Sequence, residues 1–408
     1  MQLLRRLKDN RIIRTALIAV LAIVAAVSVF QGIRNAIELS QDFQWDAAKA
    51  LADGIDPYEL SESPEKAMEY PDLAEFYKMF TDRGLNQQME ANQFPSLLML
   101  LFPMTVFPPY AAKVVWLVLN LAFTAGIALL LKKTFFEQTG TYEYCLIVLL
   151  TLAGTPYRNQ LGVGQHTLFA FFFFMLAVFF EKRSQDKTGI GSTCLIALCL
   201  FVSYFKYTLT APLTLWFLYK RRYKEIAISI ALHVVLTVAA AAMLKKSVVY
   251  MITAPLHVAS RLSAEGGLDL GVLIGGKAYY AAALIFALML TAIVMMLPED
   301  KEKLLFSALI LWSLILTYHR TYDFFVLSAV TMLFCKDEDT GITETYRPHL
   351  TASYAILITA VYFVLRIFSE NTASKAVTGT LYYAFTVAVT LLLVKAVTDK
   401  RGKTNGQT

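Results

Sequence analysis

A chain of 408 residues that is 57% hydrophobic and only 17% charged, with a mean hydropathy of +0.53, lies outside the range of soluble globular proteins. Its formal charge of +6 is spread over loops rather than gathered on one face, which fits membrane orientation and speaks against a nucleic-acid partner. The four cysteines, Cys145, Cys194, Cys199 and Cys335, sit in or beside apolar runs with neither metal spacing nor a disulfide framework, so no chemistry is assigned to them.

The first apolar run, 15–33, follows Arg5, Arg6, Lys8, Arg11 and Arg14 and has no small-residue cleavage signature; it reads as a retained helix with a cytoplasmic N-terminus. Further runs fall at 111–131, 142–156, 166–181, 190–205, 209–219, 225–244, 276–297, 303–317, 323–335, 351–367 and 376–396. A span of the hydrocarbon core needs about 20 helical residues. The expectation is an all-α polytopic membrane protein of about twelve transmembrane helices, some of them short. Gly154–Pro156 and the neighbourhood of Pro212 predict helices that stop partway and line a cavity. The expected organisation is a basic cytoplasmic stretch over 1–14, a transmembrane domain over 15–396 and a polar cytoplasmic tail over 397–408. Alternation from an inside N-terminus puts 22 of the 37 basic residues in cytoplasmic loops, with the Lys245–Lys246 pair as an exception on the outer side.

The segment 34–110 is the large first external loop, and its first part, 34–92, carries 13 of the 31 acidic residues. Within it, Asp42 and Asp46 are four residues apart and share a face of a following helix. Gly54-Ile55-Asp56-Pro57 reads as the turn that ends that helix. The continuation Phe94–Tyr110 is apolar but broken by Pro95, Pro103, Pro108 and Pro109, which predicts a re-entrant or interfacial helix pair.

Three polar clusters join the Asp42 segment as candidates for chemistry: Tyr157-Arg158-Asn159-Gln160 with Gln165-His166, Lys206 between Phe205 and Tyr207, and Tyr318-His319-Arg320 with Tyr322-Asp323. Alternation puts all of them on the outer face. Ionisable side chains at this depth cost free energy unless paired or wetted, so they mark candidate sites. Arg158, Lys206 and Arg320 are three cations from separate loops that suit a phosphate. Plain structural readings stand beside these: Asp42 as a helix cap, Arg320 and Asp323 as a salt-bridged turn, Lys206 reaching to the interface, and His233 and His257 as packing or loop residues.

The ordered set Asp42-Phe43-Gln44-Trp45 with Ala48, Gly54 and Asp56-Pro57-Tyr58, then Phe94-Pro95, Gly164-Gln165, Phe205-Lys206 and Tyr318-His319-Arg320 with Tyr322-Asp323, resembles glycosyltransferase family 87, which includes polyprenyl-phosphate-mannose-dependent mannosyltransferases. The resemblance covers roughly residues 15–395. It departs where the family has Tyr-Pro-Pro and this chain Phe94-Pro95-Ser96, and where the family's Lys-Pro is here Lys206 with Pro212 further on. It implies a GT-C fold with short interfacial helices in the first external loop. It also implies inverting transfer of a hexose, by family a mannose, from a polyprenyl-phosphate sugar to a lipid- or glycan-linked hydroxyl acceptor, at a site of the cell membrane facing the periplasm or exterior. Asp42 falls on the catalytic Asp and His319 on the required His. Asp46, Arg158, Gln165, His166, Lys206, Arg320 and Tyr322 are the expected substrate-binding residues. No cofactor and no metal enter this scheme, and the partners are the lipid donor, the acceptor and membrane lipids. The rival readings are a secondary transporter or lipid flippase, a polysaccharide polymerase or ligase, and a non-catalytic assembly protein.

Overall fold

The computed structural model describes residues 11–40, 43–85, 87–184, 189–262, 268–274, 278–334, 341–364 and 372–405. Asp42 and Cys335 lie outside the described residues, as do Arg5, Arg6 and Lys8. Every regular element among the described residues is helical. In chain order they are α1 (Arg11–Glu38), then the short loop helices α2 (Trp45–Ala52), α3 (Pro57–Glu62), a 3₁₀ turn (Pro64–Glu69), α4 (Pro71–Thr81) and α5 (Pro95–Leu98) running into a second 3₁₀ piece (Met99–Met104). The bundle continues with α6 (Pro109–Thr134), α7 (Thr141–Ala153), α8 (Thr155–Val163), α9 (Thr167–Arg183), α10 (Ile190–Ser203), α11 (Tyr207–Leu213), α12 (Leu215–Tyr219) and α13 (Tyr223–Leu244). It closes with α14 (Val248–Leu262), α15 (Leu270–Ile274), α16 (Ala278–Met296), α17 (Glu302–Leu316), a long 3₁₀ helix (Thr321–Phe334), α18 (Gly341–Thr359), a π turn (Ala360–Val364) and α19 (Thr372–Asn405).

Six of these helices are long and apolar enough to cross a membrane, or seven if the bent pair α8–α9 counts as one span. The chain is therefore a multi-pass membrane protein. The sequence expectation of about twelve spans differs because it counted runs, and several runs fold as helices below the length of a full α-helical span: α7, α11 with α12, α17 and the long 3₁₀ helix.

Contacts at the two ends of the helices set their directions. At one end Arg14 lies over the Tyr142 ring, Lys182 donates to the carbonyl of Thr134 at 3.1 Å, and Lys220 pairs with Glu302. At the other, Trp116 donates to the Gly164 carbonyl at 2.7 Å, and Thr317 donates to the Thr208 carbonyl at 2.8 Å. We call these the basic end and the loop end.

The loop helices have a core of their own. Trp45 stacks on Phe76 at 5.4 Å and donates to the Met104 carbonyl at 3.1 Å, while Tyr58 donates to the Gln93 carbonyl at 2.9 Å. Both side chains are only 1% exposed. This core reaches the bundle through Trp116 and Phe205. The turn expected at Gly54 forms: Gly54 has φ +74°, with Ile55 N–H on the Ala50 carbonyl and Gly54 N–H on the Leu51 carbonyl. Asp56 then caps α3 by accepting from the N–H groups of Tyr58 and Glu59, with Pro57 at the first helical position. Lys246, the exception to the charge pattern, lies at the loop end beside Asp56 and Glu59, which neutralise it.

Candidate active site

Two interruptions of the helical ladder meet at the loop end of the bundle. Between α8 and α9 the chain turns by 107°, and Gly164 makes the turn with φ +73°. A Cβ at this position would sit 2.4 Å from the Ser40 hydroxyl, so both the backbone angle and the space call for glycine. The second interruption is at Lys206, whose backbone leaves the helical region before α11 begins. Thr210 donates to the carbonyls of Ser203 (3.0 Å) and Lys206 (3.1 Å), which satisfies acceptors that the break would otherwise leave unpaired.

These breaks bring a buried polar network together. Asp323, fully buried, accepts from His319 Nδ1 at 2.7 Å and from the Thr167 hydroxyl, and its Oδ2 lies 3.6 Å from Lys206 Nζ. Lys206 also lies over the Tyr322 ring, 5.6 Å from its centroid. Gln165 donates to the Tyr322 hydroxyl at 3.1 Å and accepts from the His166 N–H at 2.9 Å, while Gln160 donates to the Gln165 carbonyl at 2.5 Å. His166 Nε2 meets the Phe43 carbonyl at 3.0 Å, and a carbonyl only accepts, so the proton of this ring is on Nε2. His319 Nε2 lies 3.2 Å from the Thr317 hydroxyl, which itself donates to the Thr208 carbonyl.

Of the residues expected from the sequence, Gln165, His166, Lys206, His319 and Tyr322 meet in this network. Three others have partners elsewhere. Asp46 is buried in the loop core, accepting from Tyr77 Oη at 2.7 Å and from the Ala47 N–H at 2.9 Å. Burial and the Asp46 charge push the Tyr77 phenol up, so it remains a donor. Arg158 bonds Gln31 of α1 at 3.3 Å and Asn159 at 3.0 Å; Arg320 donates to Tyr318 Oη at 2.7 Å. Asp42 lies outside the described residues, but both flanks of its segment are held near the network, Ser40 by the Val163 carbonyl at 2.8 Å and Phe43 by His166.

Asp323 stood in a candidate cluster, but its partners differ from those weighed in the sequence, and Asp269 was not singled out. The carboxylate of Asp323 is bound by His319, Lys206 and Thr167, where a pair with Arg320 was the structural alternative; its i,i+4 spacing from His319 was the available signal. Asp269, 2% exposed, faces the backbone N–H of His319 and had no signal beyond being polar. Beside Lys206, a groove of about 480 Å³ opens between α5, α11, α13 and α14, lined by Phe94, Tyr204, Tyr207, Ile230, Val234 and Ile252 among others.

A multi-pass helical protein with a buried, cation-bearing polar network close in the chain to an apolar groove defines a membrane enzyme or carrier of amphiphilic substrates. The family model of glycosyltransferase family 87 matches residues 95–334, more than half of the chain, and the chain belongs to that family. It is thus a membrane glycosyltransferase, using a sugar donor and an acceptor in the membrane. The match begins at Pro95, after the Asp42–Tyr58 segment, and contains the whole of the Lys206–His319–Asp323 network. No curated protein and no solved structure matches the chain.

Proposed function

We propose that this glycosyltransferase moves a hexose, mannose by family, from a polyprenyl-phosphate donor to a lipid- or glycan-linked hydroxyl on the non-cytoplasmic face of the cell membrane, with inversion. The observation that carries the reading is the groove beside Lys206. Its wall is apolar, Ile230 and Val234 are 52% and 56% exposed, and two of its lining residues, Tyr204 and Tyr207, flank Lys206 in the chain. An isoprenoid chain suits the groove and its phosphate suits Lys206.

In this scheme the acceptor oxygen forms a bond to the anomeric carbon as the bond from that carbon to the phosphate oxygen breaks. Asp42 takes the acceptor proton. The phosphate departs as an anion held by Lys206, with Arg320 and Arg158 as outlying cations and His319 donating to phosphate or sugar. Gln165, His166 and Tyr322 hold the floor of the site, and Asp46 braces the loop. The anchoring of Ser40 and Phe43 on either side of the Asp42 segment supports this role for Asp42. In this reading the six or seven long spans and the shorter apolar helices, alternating in direction, form a GT-C scaffold, and a cytoplasmic basic end is supported by Lys132, Lys182, Lys220 and Arg222 gathering there.

The test is transfer of labelled sugar from synthetic polyprenyl-phosphate monosaccharides to a membrane lipid extract, by wild type, Asp42→Asn and His319→Ala. Transfer by wild type that both variants lose is the expected result. Near-normal turnover by Asp42→Asn removes the base, and no transfer by folded wild type from any donor removes the reading.

A further inference from the structure

The helices α18 and α19 pack antiparallel, and ring contacts fix their register. Tyr354 of α18 meets Phe334 at 5.2 Å and Phe385 of α19 at 5.5 Å, while Lys395 Nζ lies over the Tyr346 ring, 5.3 Å from its centroid. Phe334 ends the 3₁₀ helix that starts at the loop end with Thr321, so Tyr346 and Lys395 stand at the basic end. Both helices lie outside the family match over 95–334.

A cleft of about 500 Å³ runs between them. Its floor includes the buried Leu350 and Phe385, its rims Ile356 and Leu391 are 55% and 62% exposed, and the small Ala388 lies between. The titratable side chains that line it, Tyr346, His349 and Lys395, all stand at the basic end, and no described lining residue is an acid. The neighbouring lysines of that end are neutralised by the protein, since Glu302 takes both Lys182 and Lys220. Among the described residues no carboxylate pairs with Lys395 or His349. An apolar trough closed by cations at one end is complementary to an amphiphile with an anionic head.

The dimensions say which amphiphile. From Tyr346 to Ile356 the α18 wall rises roughly 15 Å, and from Leu381 to Lys395 the α19 wall rises roughly 21 Å. One leaflet is half of a hydrocarbon core of roughly 30 Å, so the trough has the depth of one acyl chain, with its cations at the headgroup level. We propose that the cleft between α18 and α19 is a binding site for an anionic phospholipid of the leaflet at the basic end, one acyl chain in the trough and the phosphate at Lys395 and His349. The site is separate from the groove beside Lys206 and independent of the donor reading given under Proposed function.

The experiment counts bound lipid. Full-length protein, delipidated in neutral detergent, is titrated with phosphatidylglycerol and with phosphatidylcholine of the same acyl chains, and the first-bound lipid is measured by native mass spectrometry. Wild type should bind phosphatidylglycerol about five-fold more tightly, the scale of one interfacial cation. Lys395→Gln should abolish that preference, while Lys224→Gln, an exposed lysine of the same end, should keep it. Ala388→Phe, which fills the trough, should weaken both lipids. Equal affinities in wild type, or a preference that survives in Lys395→Gln, overturns the proposal without reliance on any variant's stability. Glycerol phosphate should leave the complex intact, and displacement by it would mean that the anion alone is recognised. Displacement by bare polyprenyl phosphate would assign the cleft to the donor, and a lipid-free dimer broken by Ala388→Phe would assign it to a second copy; either overturns the proposal.

Discussion

Two charged clusters sit at opposite ends of the same helices, and they are built by opposite rules. At the basic end, Glu302 takes Lys182 at 2.8 Å and also Lys220, while Arg222 lies 3.8 Å from Glu181 and 3.6 Å from Glu225. Most of these charges act with their local structure; Arg222, at the N-terminal boundary of α13, is the exception. Glu225 and Glu302 occupy the first turns of α13 and α17, and Lys182 the last turn of α9, so the charges complement the helix dipoles. At the loop end, Lys206 stands at the N-terminal boundary of α11, where a cation is disfavoured, and Gly164 and Lys206 both interrupt helices. A region that breaks local preferences and is nevertheless kept marks function; one that satisfies them marks stability.

The largest test of that contrast is Lys206→Met. We expect transfer per folded molecule to fall by about a hundred- to a thousand-fold, the range seen when one preorganised electrostatic contact is removed, with a stability cost of about 3–5 kcal/mol from leaving the buried Asp323 without its lysine. An inactive and unfolded variant would instead make the loop-end network structural. The mirror experiment is Glu302→Gln. It leaves Lys182 and Lys220 without their carboxylate and should cost about 2 kcal/mol in denaturation, below the roughly 3–5 kcal/mol of fully buried pairs because Glu302 keeps 17% exposure. Turnover per folded molecule should stay at the wild-type value.

Gly164→Ala lies between the two. The left-handed backbone and the Ser40 contact should together cost about 1–2 kcal/mol and lower turnover, because the same turn carries Gln165 and His166. A stability equal to wild type would show that the turn has another way to relax. The smallest effect sharpens the boundary of the site: Arg158→Gln, whose bonds run to Gln31 and Asn159, should change transfer by no more than about three-fold, as expected of a contact outside the network. A loss as large as that of Lys206→Met would bring Arg158 to the phosphate.

How far the sequence revealed this arrangement differs between the two ends. Helix-ending chemistry was legible, because Gly54, Asp56-Pro57 and Gly154–Pro156 each state a local backbone requirement. Alternation put Gln165, His166, Lys206, His319 and Tyr322 on one face, but Arg158 and Arg320 with them, whose bonds run elsewhere. What one charge bonds to was not legible: Asp323 had Arg320 and His319 both within four residues, and a tertiary break decided for His319 and Lys206. The burial of Asp269 beside the His319 backbone is a property of packing that no spacing encodes. The number of spans was harder still, since run length reports crossing only if the helix type is known.

That last point bears on the 14-residue 3₁₀ helix that begins at Thr321. Wound at about 2.0 Å per residue it rises roughly 28 Å, whereas the same residues as an α-helix would rise roughly 21 Å. The tighter winding lets a stretch too short by ordinary count cover nearly the thickness of a bilayer core. Unwinding it into the commoner form would draw its two ends together by about 7 Å, twice the separation between the Asp323 carboxylate and the lysine it holds. The winding of one helix thus sets how far apart its two ends stand.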